Sequence, residues 1–309
     1  MTPEEAILLV REKFPFEEYM DATGYDAHRN IADTVSRYLR SGDKVLDFGS
    51  GPCDKTAVVS LLGFRCSALD DLQDEWHQVE GARDKIVAFA GECGIDFNLK
   101  RDDTLPFEKG SFDMVMMHDV LEHLHVSPRD LLIDLLELVR PEGYFFATVP
   151  NAVNIRKRIH VIFGKTNLPP FREYYWYPGP WRGHVREYTK DDLVKLSEYL
   201  ELDVAELRGC HHMLQKVPRA ARLAYVGLSA AFTGWRDSWL LVAKKRPNWG
   251  PRKSCTQLLS EEPPERPRRL AREPRINPGR DRALVARRGS WLGAGVPSDS
   301  SGRPRTPNR

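Results

Sequence analysis

Val45-Leu46-Asp47-Phe48-Gly49-Ser50-Gly51-Pro52-Cys53 is the stretch on which the fold turns. The apolar run Lys44–Phe48 reads as a buried strand, and the two glycines behind it let the backbone bend sharply and approach a ligand closely. Asp54–Leu62 then reads as a helix, with Gly63 as its stop. A Gly-x-Gly turn alone admits many nucleotides. Two acidic positions narrow the choice. Asp47 sits inside the strand end, and the pair Asp70-Asp71 closes the next strand, Arg65–Leu69, about twenty residues on, where an acid can take both ribose hydroxyls of an adenosine.

Working outward, strands and helices alternate. Toward the N-terminus, Pro3–Lys13 and Ala27–Arg40 carry apolar residues at helical spacing, and Ser41-Gly42-Asp43 breaks the pattern. Toward the C-terminus, Leu72–Glu92 reads as helix and Ile95–Leu99 and Phe112–Met117 as strands. Pro128–Val139 reads as a helix with Leu131, Leu132, Leu135, Leu136 and Val139 on its apolar side, followed by a fifth strand at Tyr144–Val149. Met114-Val115-Met116-Met117 does not alternate, so both faces of its strand are expected to be covered, as in a parallel sheet flanked by helices. Pro169–Tyr188 reads as a long loop, and Thr189 caps a helix to Leu200 with Asp191 and Asp192 in its first turn. Leu202–Leu207 and Ser238–Ala243 are further strands, with a helical stretch at 216–232 between them. The fold class is α/β: a doubly wound, mostly parallel, seven-stranded sheet with N-terminal helices.

At this point the chain resembles the class I S-adenosylmethionine (SAM)-dependent methyltransferases over roughly residues 25–245. Asp47-Phe48-Gly49-Ser50-Gly51 is similar to that family's first motif, and Asp70 matches its ribose-binding acid. Asp102-Asp103-Thr104-Leu105-Pro106-Phe107 and Gly110-Ser111-Phe112-Asp113 resemble the loop and fourth strand of the branch related to ubiquinone-biosynthesis O-methyltransferases, in which an acid of the loop contacts the adenine. Val120-Leu121-Glu122-His123 and Arg140-Pro141-Glu142-Gly143 match that branch's later segments. One departure is visible: Pro52-Cys53 stands where the first motif usually has a third glycine.

The resemblance implies SAM as cofactor and a site of Asp47, Gly49, Ser50, Gly51, Asp70, Asp71, Asp102, Asp103, Thr104 and His118. Asp47 would serve the α-ammonium, the Gly49–Gly51 backbone would pass under the methionyl end and the ribose, and Asp102 or Asp103 would meet the adenine amine. An acidic site also suits a cationic cofactor. Methyl transfer is an in-line displacement at carbon, so catalysis rests mainly on positioning the acceptor behind the methyl group.

On the acceptor side, His118, Asp119, Glu122, His123 and His125 cluster after the fourth strand, at the carboxyl edge where such sheets bind ligands. For a hydroxyl acceptor His123 is the candidate general base. Glu122 and His123 could instead join a divalent metal site, as the ubiquinone branch suggests, or His123 could simply satisfy a helix turn; the expected set contains no metal. The aromatic stretch Phe171–Tyr177, with Trp181 and His184–Tyr188, has the length and density of a lid over an acceptor pocket, with Tyr175, Trp181, His184 and Arg186 as its expected acceptor contacts. Its residues 181–188 look like methyltransferases of surface-polysaccharide pathways. Arg182 and Arg186 could grip an anionic acceptor or pair with Glu173 and Glu187. Lys216, Arg219 and Arg222 beside Val217, Leu223 and Val226 read as a core-facing helix with a basic solvated side, or as a peripheral membrane contact.

The net charge of +2 over 309 residues conceals an asymmetry: residues from Arg246 onward hold 15 Lys+Arg against 6 Asp+Glu, leaving residues 1–245 at −7. A body of that sign does not point to nucleic acid. The expected domains are a methyltransferase domain at 1–245, with a cofactor half at about 41–150 and an acceptor half at about 151–245, and a disordered basic Pro/Arg-rich tail at 246–309. No apolar run is long enough to span a bilayer, no signal peptide is apparent, and five unpaired-looking cysteines fit a reducing cytoplasm. A nicotinamide-dependent oxidoreductase would want the third glycine and a Tyr-x-x-x-Lys, which the chain lacks. The expected function is methyl transfer from SAM to a small molecule, on a hydroxyl; the alternative is a methyltransferase-like domain kept for SAM binding or as a scaffold.

Overall fold

The computed structural model describes residues 1–16, 19–20, 25–102, 104–212, 214 and 217–250. Two N-terminal helices, α1 (Pro3–Lys13) and α2 (Tyr25–Tyr38), precede the sheet. Then follow β1 (Lys44–Phe48), α3 (Asp54–Leu61), β2 (Arg65–Asp70), α4 (Ala82–Glu92), β3 (Asp96–Leu99), β4 (Phe112–His118), α5 (Arg129–Leu138) and β5 (Val139–Pro150). The second half contributes α6 (Ile155–Ile162), α7 (Phe171–Tyr175), α8 (Lys190–Tyr199), β6 (Leu202–Cys210), α9 (Arg219–Ala231) and β7 (Ser238–Lys245). The seven strands lie in the order β3-β2-β1-β4-β5-β7-β6. All pairings are parallel except those of β7, which runs antiparallel between β5 and β6. Strand order reverses between β1 and β4, and that switch point opens a crevice at the carboxyl edge.

Both faces of the sheet are buried, as the unalternating strands require. Met114 and Met116 of β4 point into a core shared with α1–α4 through Ile7, Val10, Ile31, Val35, Val58 and Phe89. Val115 and Met117 point into the opposite core, built with Leu132, Leu135 and Leu136 of α5 and Leu193 of α8. Successive side chains of a strand face opposite ways, so an apolar run is what two cores demand.

Three expectations change. Leu72–Glu92 is not one helix: a 3-10 turn at Glu75–Gln78 comes first, and Gly81, at φ +75°, starts α4 afresh. The stretch before Pro169 contains α6, capped by the Asn154 side chain accepting from Lys157 N–H at 3.0 Å, and the long loop itself contains α7. The packed body also continues past Lys245. Trp249 donates its indole N–H to Leu200 O at 2.6 Å, the Lys245 ammonium lies 4.6 Å from its ring centroid, and Arg246 pairs with Asp203 at 2.9 Å. The rest of the expected tail, residues 251–309, lies outside the described residues.

Candidate active site

The turn between β1 and α3 is built by backbone that side chains would obstruct. Gly49 takes φ +73°, and a Cβ there would stand 2.4 Å from Val120 Cγ2. Gly51, at φ +52°, faces open space, and its N–H donates to Asp70 Oδ2 at 2.7 Å. The other Asp70 oxygen accepts Leu72 N–H at 2.7 Å, so the acid at the end of β2 braces the glycine turn at the end of β1. Where a third glycine is usual, Cys53 holds φ +65°, a conformation that costs a non-glycine residue about 1 kcal/mol. Its side chain is fully buried and its thiol points to Ser50 Oγ at 3.6 Å.

Asp47 is buried beneath this turn. One carboxylate oxygen accepts the Thr56 hydroxyl at 2.6 Å; the other, Oδ1, is buried without a hydrogen-bond partner among the described residues. Burial pushes its pKa up to about 6. An orphaned buried carboxylate oxygen beside an open, side-chain-free turn is what the ammonium end of SAM would satisfy, so the donor set fits the cofactor.

The remaining expected cofactor residues divide. Asp71 accepts Gln73 N–H at 2.9 Å and meets Arg182 at 3.5 Å. Asp102 is exposed and accepts both the N–H and the hydroxyl of Thr104, at 2.9 and 2.5 Å, bonds that hold its pKa below the usual carboxylate range. Asp103 lies outside the described residues. His118 is buried in the sheet, its Nδ1 3.1 Å from Thr148 Oγ1 and its ring edge-on to Phe146; burial drives its pKa well down, so it adds no charge to the crevice.

Beyond β4 the chain makes a denser polar centre. Glu122 is fully buried, and among the described residues neither carboxylate oxygen has a hydrogen-bond partner. Burial, reinforced by the negative charge of Asp119, pushes its pKa up to about 9. His184 Nε2 lies 4.0 Å from Glu122 Oε1, and the His123 and His184 rings meet edge-on at 4.9 Å. One ligand atom each of Glu122, His123 and His184 lie within 4.8 Å of one another. The partners orient both rings: His123 Nδ1–H donates to Arg182 O at 2.7 Å, which leaves its neutral imidazole a lone pair on Nε2, and His184 Nδ1–H donates to Glu187 Oε1 at 3.0 Å. Lys157 pairs with the other Glu187 oxygen, so a Lys–Glu–His chain fixes the His184 ring. One carboxylate and two imidazoles, with an outer carboxylate orienting one ring, is a donor set that could hold a divalent cation. The chain alternatively offers His123 as a neutral base, its pKa lowered chiefly by burial.

The lid is tied to this centre through its backbone. Glu122 O accepts Val185 N–H at 2.7 Å and Arg186 N–H at 3.2 Å, and His125 bonds Trp181 O at 2.5 Å. The lid arginines do not pair as expected: Arg182 meets Asp71 and, at 3.0 Å, Asp74, while Arg186 meets Asp192 at 3.3 Å. Glu187 is instead engaged by Lys157 and His184. Trp181 donates to His184 O at 3.3 Å, whereas Tyr175 is 63% exposed and packs on Phe171 and Trp176. Sequence reasoning missed Lys55, whose ammonium pairs with Asp119 at 2.8 Å, and Lys157, which pairs with Glu187; each partner comes from a distant segment, and no local pattern announces it.

A doubly wound sheet with a glycine turn, a bracing acid and an orphaned carboxylate at its switch point defines a class I SAM-dependent methyltransferase. Residues 19–207 match the family described as methyltransferase domain, and the chain belongs to that family: it is an enzyme that uses SAM. A relative in Arabidopsis thaliana, named probable methyltransferase PMT7, is 27% identical over 150 residues, which are 48% of this chain and 23% of that protein; the chain thus spans about a quarter of the relative's length. A chain from the complex between the Haloferax volcanii Trm112 methyltransferase activator and a methyltransferase superposes with a TM-score of 0.50 at 16% identity, covering 80% of this chain and 98% of that one. A SAM-dependent methyltransferase from Aquifex aeolicus gives 0.45 at 14% identity, covering 79% and 98%. At 16% identity the Haloferax volcanii chain speaks to the fold alone.

Proposed function

We propose that the enzyme methylates a hydroxyl of a small-molecule acceptor bound between the cofactor half, about 41–150, and the acceptor half, about 151–245. SAM would rest on Asp47, the Gly49–Gly51 turn and Asp70, with the 102–104 loop at the adenine. The acceptor would lie at Glu122, His123 and His184 beneath the lid of Trp181 and Arg186. In the transfer step the acceptor oxygen attacks the methyl carbon, the C–O bond forms as the S–C bond breaks, and S-adenosylhomocysteine leaves as a neutral thioether. The hydroxyl proton passes to the lone pair on His123 Nε2. The observation that carries this reading is the pair of Glu122 oxygens, unpartnered among the described residues: a buried acid without hydrogen-bond partners is costly unless a ligand completes it. A second reading rests on the same atoms. A divalent cation held by Glu122, His123 and His184 would lower the acceptor hydroxyl's pKa by charge.

Two measurements test the scheme. In calorimetric titration with SAM, Asp47 should impose a pH dependence: its pKa near 6 means that affinity falls about tenfold per pH unit below that point. Stability of the empty protein runs the other way. A raised folded-state pKa contributes stability fully present below 3.8 and lost as pH rises through 6, a loss of about 3 kcal/mol at neutral pH. Asp47→Asn should therefore stabilise the empty fold while weakening SAM and flattening its pH profile. A pH-independent wild-type affinity would remove Asp47 from the site. Labelled SAM offered with hydroxyl-bearing metabolites and sugar nucleotides, with and without a chelator, then separates base from cation. Methylation confined to amines or carboxylates would refute the hydroxyl assignment, and SAM binding without transfer to any acceptor would favour a scaffold.

A further inference from the structure

Helix α6 is inside out. Its one buried residue is Lys157, which pairs with Glu187 and donates to Asn151 O at 3.1 Å. Its apolar residues look outward instead: Ile159 is 44% exposed, Ile162 78%, and the capping Phe163 75%. At helical spacing Ile155, Ile159 and Ile162 form one stripe, with Phe163 beside it and Arg156 and Arg158 at its margins. The exposed apolar run continues along the chain through Leu168, Phe171, Tyr174, Tyr175 and Trp176. Helix α9 repeats the inversion: it buries only Ser229 and exposes Leu223, Val226 and Leu228. The two helices are linked through Asn151, just ahead of α6, which donates to Gly234 O and Arg236 O at 2.9 and 2.8 Å, and Arg236, which in turn donates to Ser229 O of α9 at 3.2 Å.

The charge around these residues selects the occupant. Residues 154–176 and 219–231 hold seven Lys+Arg and a single acid, Glu173, in a body that is otherwise net acidic. Of the seven, Arg156, Arg158, Lys165, Arg172 and Arg219 are exposed. We propose that α6, the 163–176 segment and α9 form a docking face for an anionic lipid surface, with the isoleucine and aromatic side chains entering the headgroup boundary and the arginines meeting the phosphates. Apolar stripes with basic margins and Trp and Tyr at their ends bind in that way, through buried apolar area together with attraction to anionic lipid. The chain's own residues 251–309 are a poor alternative occupant, because their 14 Lys+Arg against 6 acids would repel a basic face. Docking here does not depend on what the acceptor is.

The test is co-sedimentation of the full-length protein with vesicles of phosphatidylcholine, with and without phosphatidylglycerol, at low and high salt. Binding should require phosphatidylglycerol and fall as salt rises. The double substitution Ile162→Glu with Phe163→Glu should weaken it about a hundredfold, the loss expected for two apolar anchors. SAM affinity measured on the same variant should equal that of wild type, which certifies its fold. Failure of the wild type to bind phosphatidylglycerol vesicles would overturn the proposal. Equal binding by the double variant would overturn it too, since the contact would then lie elsewhere, on residues 251–309 for example. A change in oligomeric state on mutation without any vesicle binding would make the face a contact between copies, and would also overturn it.

Discussion

Helices α5 and α6 flank the same strand, β5, and are both amphipathic, yet they face opposite ways. α5 turns Leu132, Leu135, Leu136 and Leu138 inward and leaves Arg129 and Asp130 in solvent. α6 turns Lys157 inward and leaves Ile159, Ile162 and Phe163 out. The contrast teaches that an apolar stripe announces a face to be covered without saying by what. For α5 the cover is the sheet; for α6 the sheet side is taken by a polar chain running from Asn151 and Lys157 through Glu187 to His184. Position in the chain explains the difference. α5 ends directly in β5 and packs on its face, whereas α6 leaves the carboxyl end of β5, where the polar centre occupies the adjoining space.

The largest effect expected from probing this contrast is in α5. Leu135→Ala deletes a fully buried side chain from the second core and should cost about 3 kcal/mol in denaturant unfolding. A cost under 1 kcal/mol would mean that α5 is not packed as described. Next comes the inward side of α6. Lys157→Ala leaves Glu187 without its cation; that carboxylate is only partly shielded, so the expected loss is nearer 2 kcal/mol than the larger value of a fully buried pair. Because the Glu187 carboxylate that orients the His184 ring is then no longer held by Lys157, the same variant should shift the His184 imidazole resonances in NMR spectra. An unmoved His184 would separate the helix anchor from the polar centre.

Legibility in the sequence follows the reach of the contacts. The glycine turn could be read because its determinants are local: Asp47, Gly49 and Gly51 fall within five residues, and Asp70 follows at the spacing that one strand–helix–strand unit imposes. The α5 stripe could be read because its cover is the sheet it leads into. Cys53 could be flagged as a departure but not resolved, since only the backbone shows that it takes the left-handed conformation a glycine would. Glu122 and His184 stand 62 positions apart and meet because Glu122 O accepts two lid amides, a bond with no side-chain signature. The lid arginines were assignable only to acids in general, and geometry chose Asp71, Asp74 and Asp192. In α6 the start signal at Asn154 and the stripe at 155, 159 and 162 are both readable as helix; which side goes inward depends on Glu187, thirty residues away.

The smallest expected effect closes the comparison. Ile162→Ser in α6 should change stability by less than about 0.5 kcal/mol, because a side chain that is 78% exposed gives up little burial. The substitution falls on the last residue of the helix, where the lower helix propensity of serine matters least. The same change at Leu135 would exceed the alanine cost, since a hydroxyl would then be buried without a partner. Measured side by side, Ile162→Ser and Leu135→Ser should therefore differ by at least about 3 kcal/mol although both remove a large aliphatic side chain from an amphipathic helix. If they prove equal, Ile162 is covered in the free protein in solution, and the outward face of α6 is already occupied before any partner arrives.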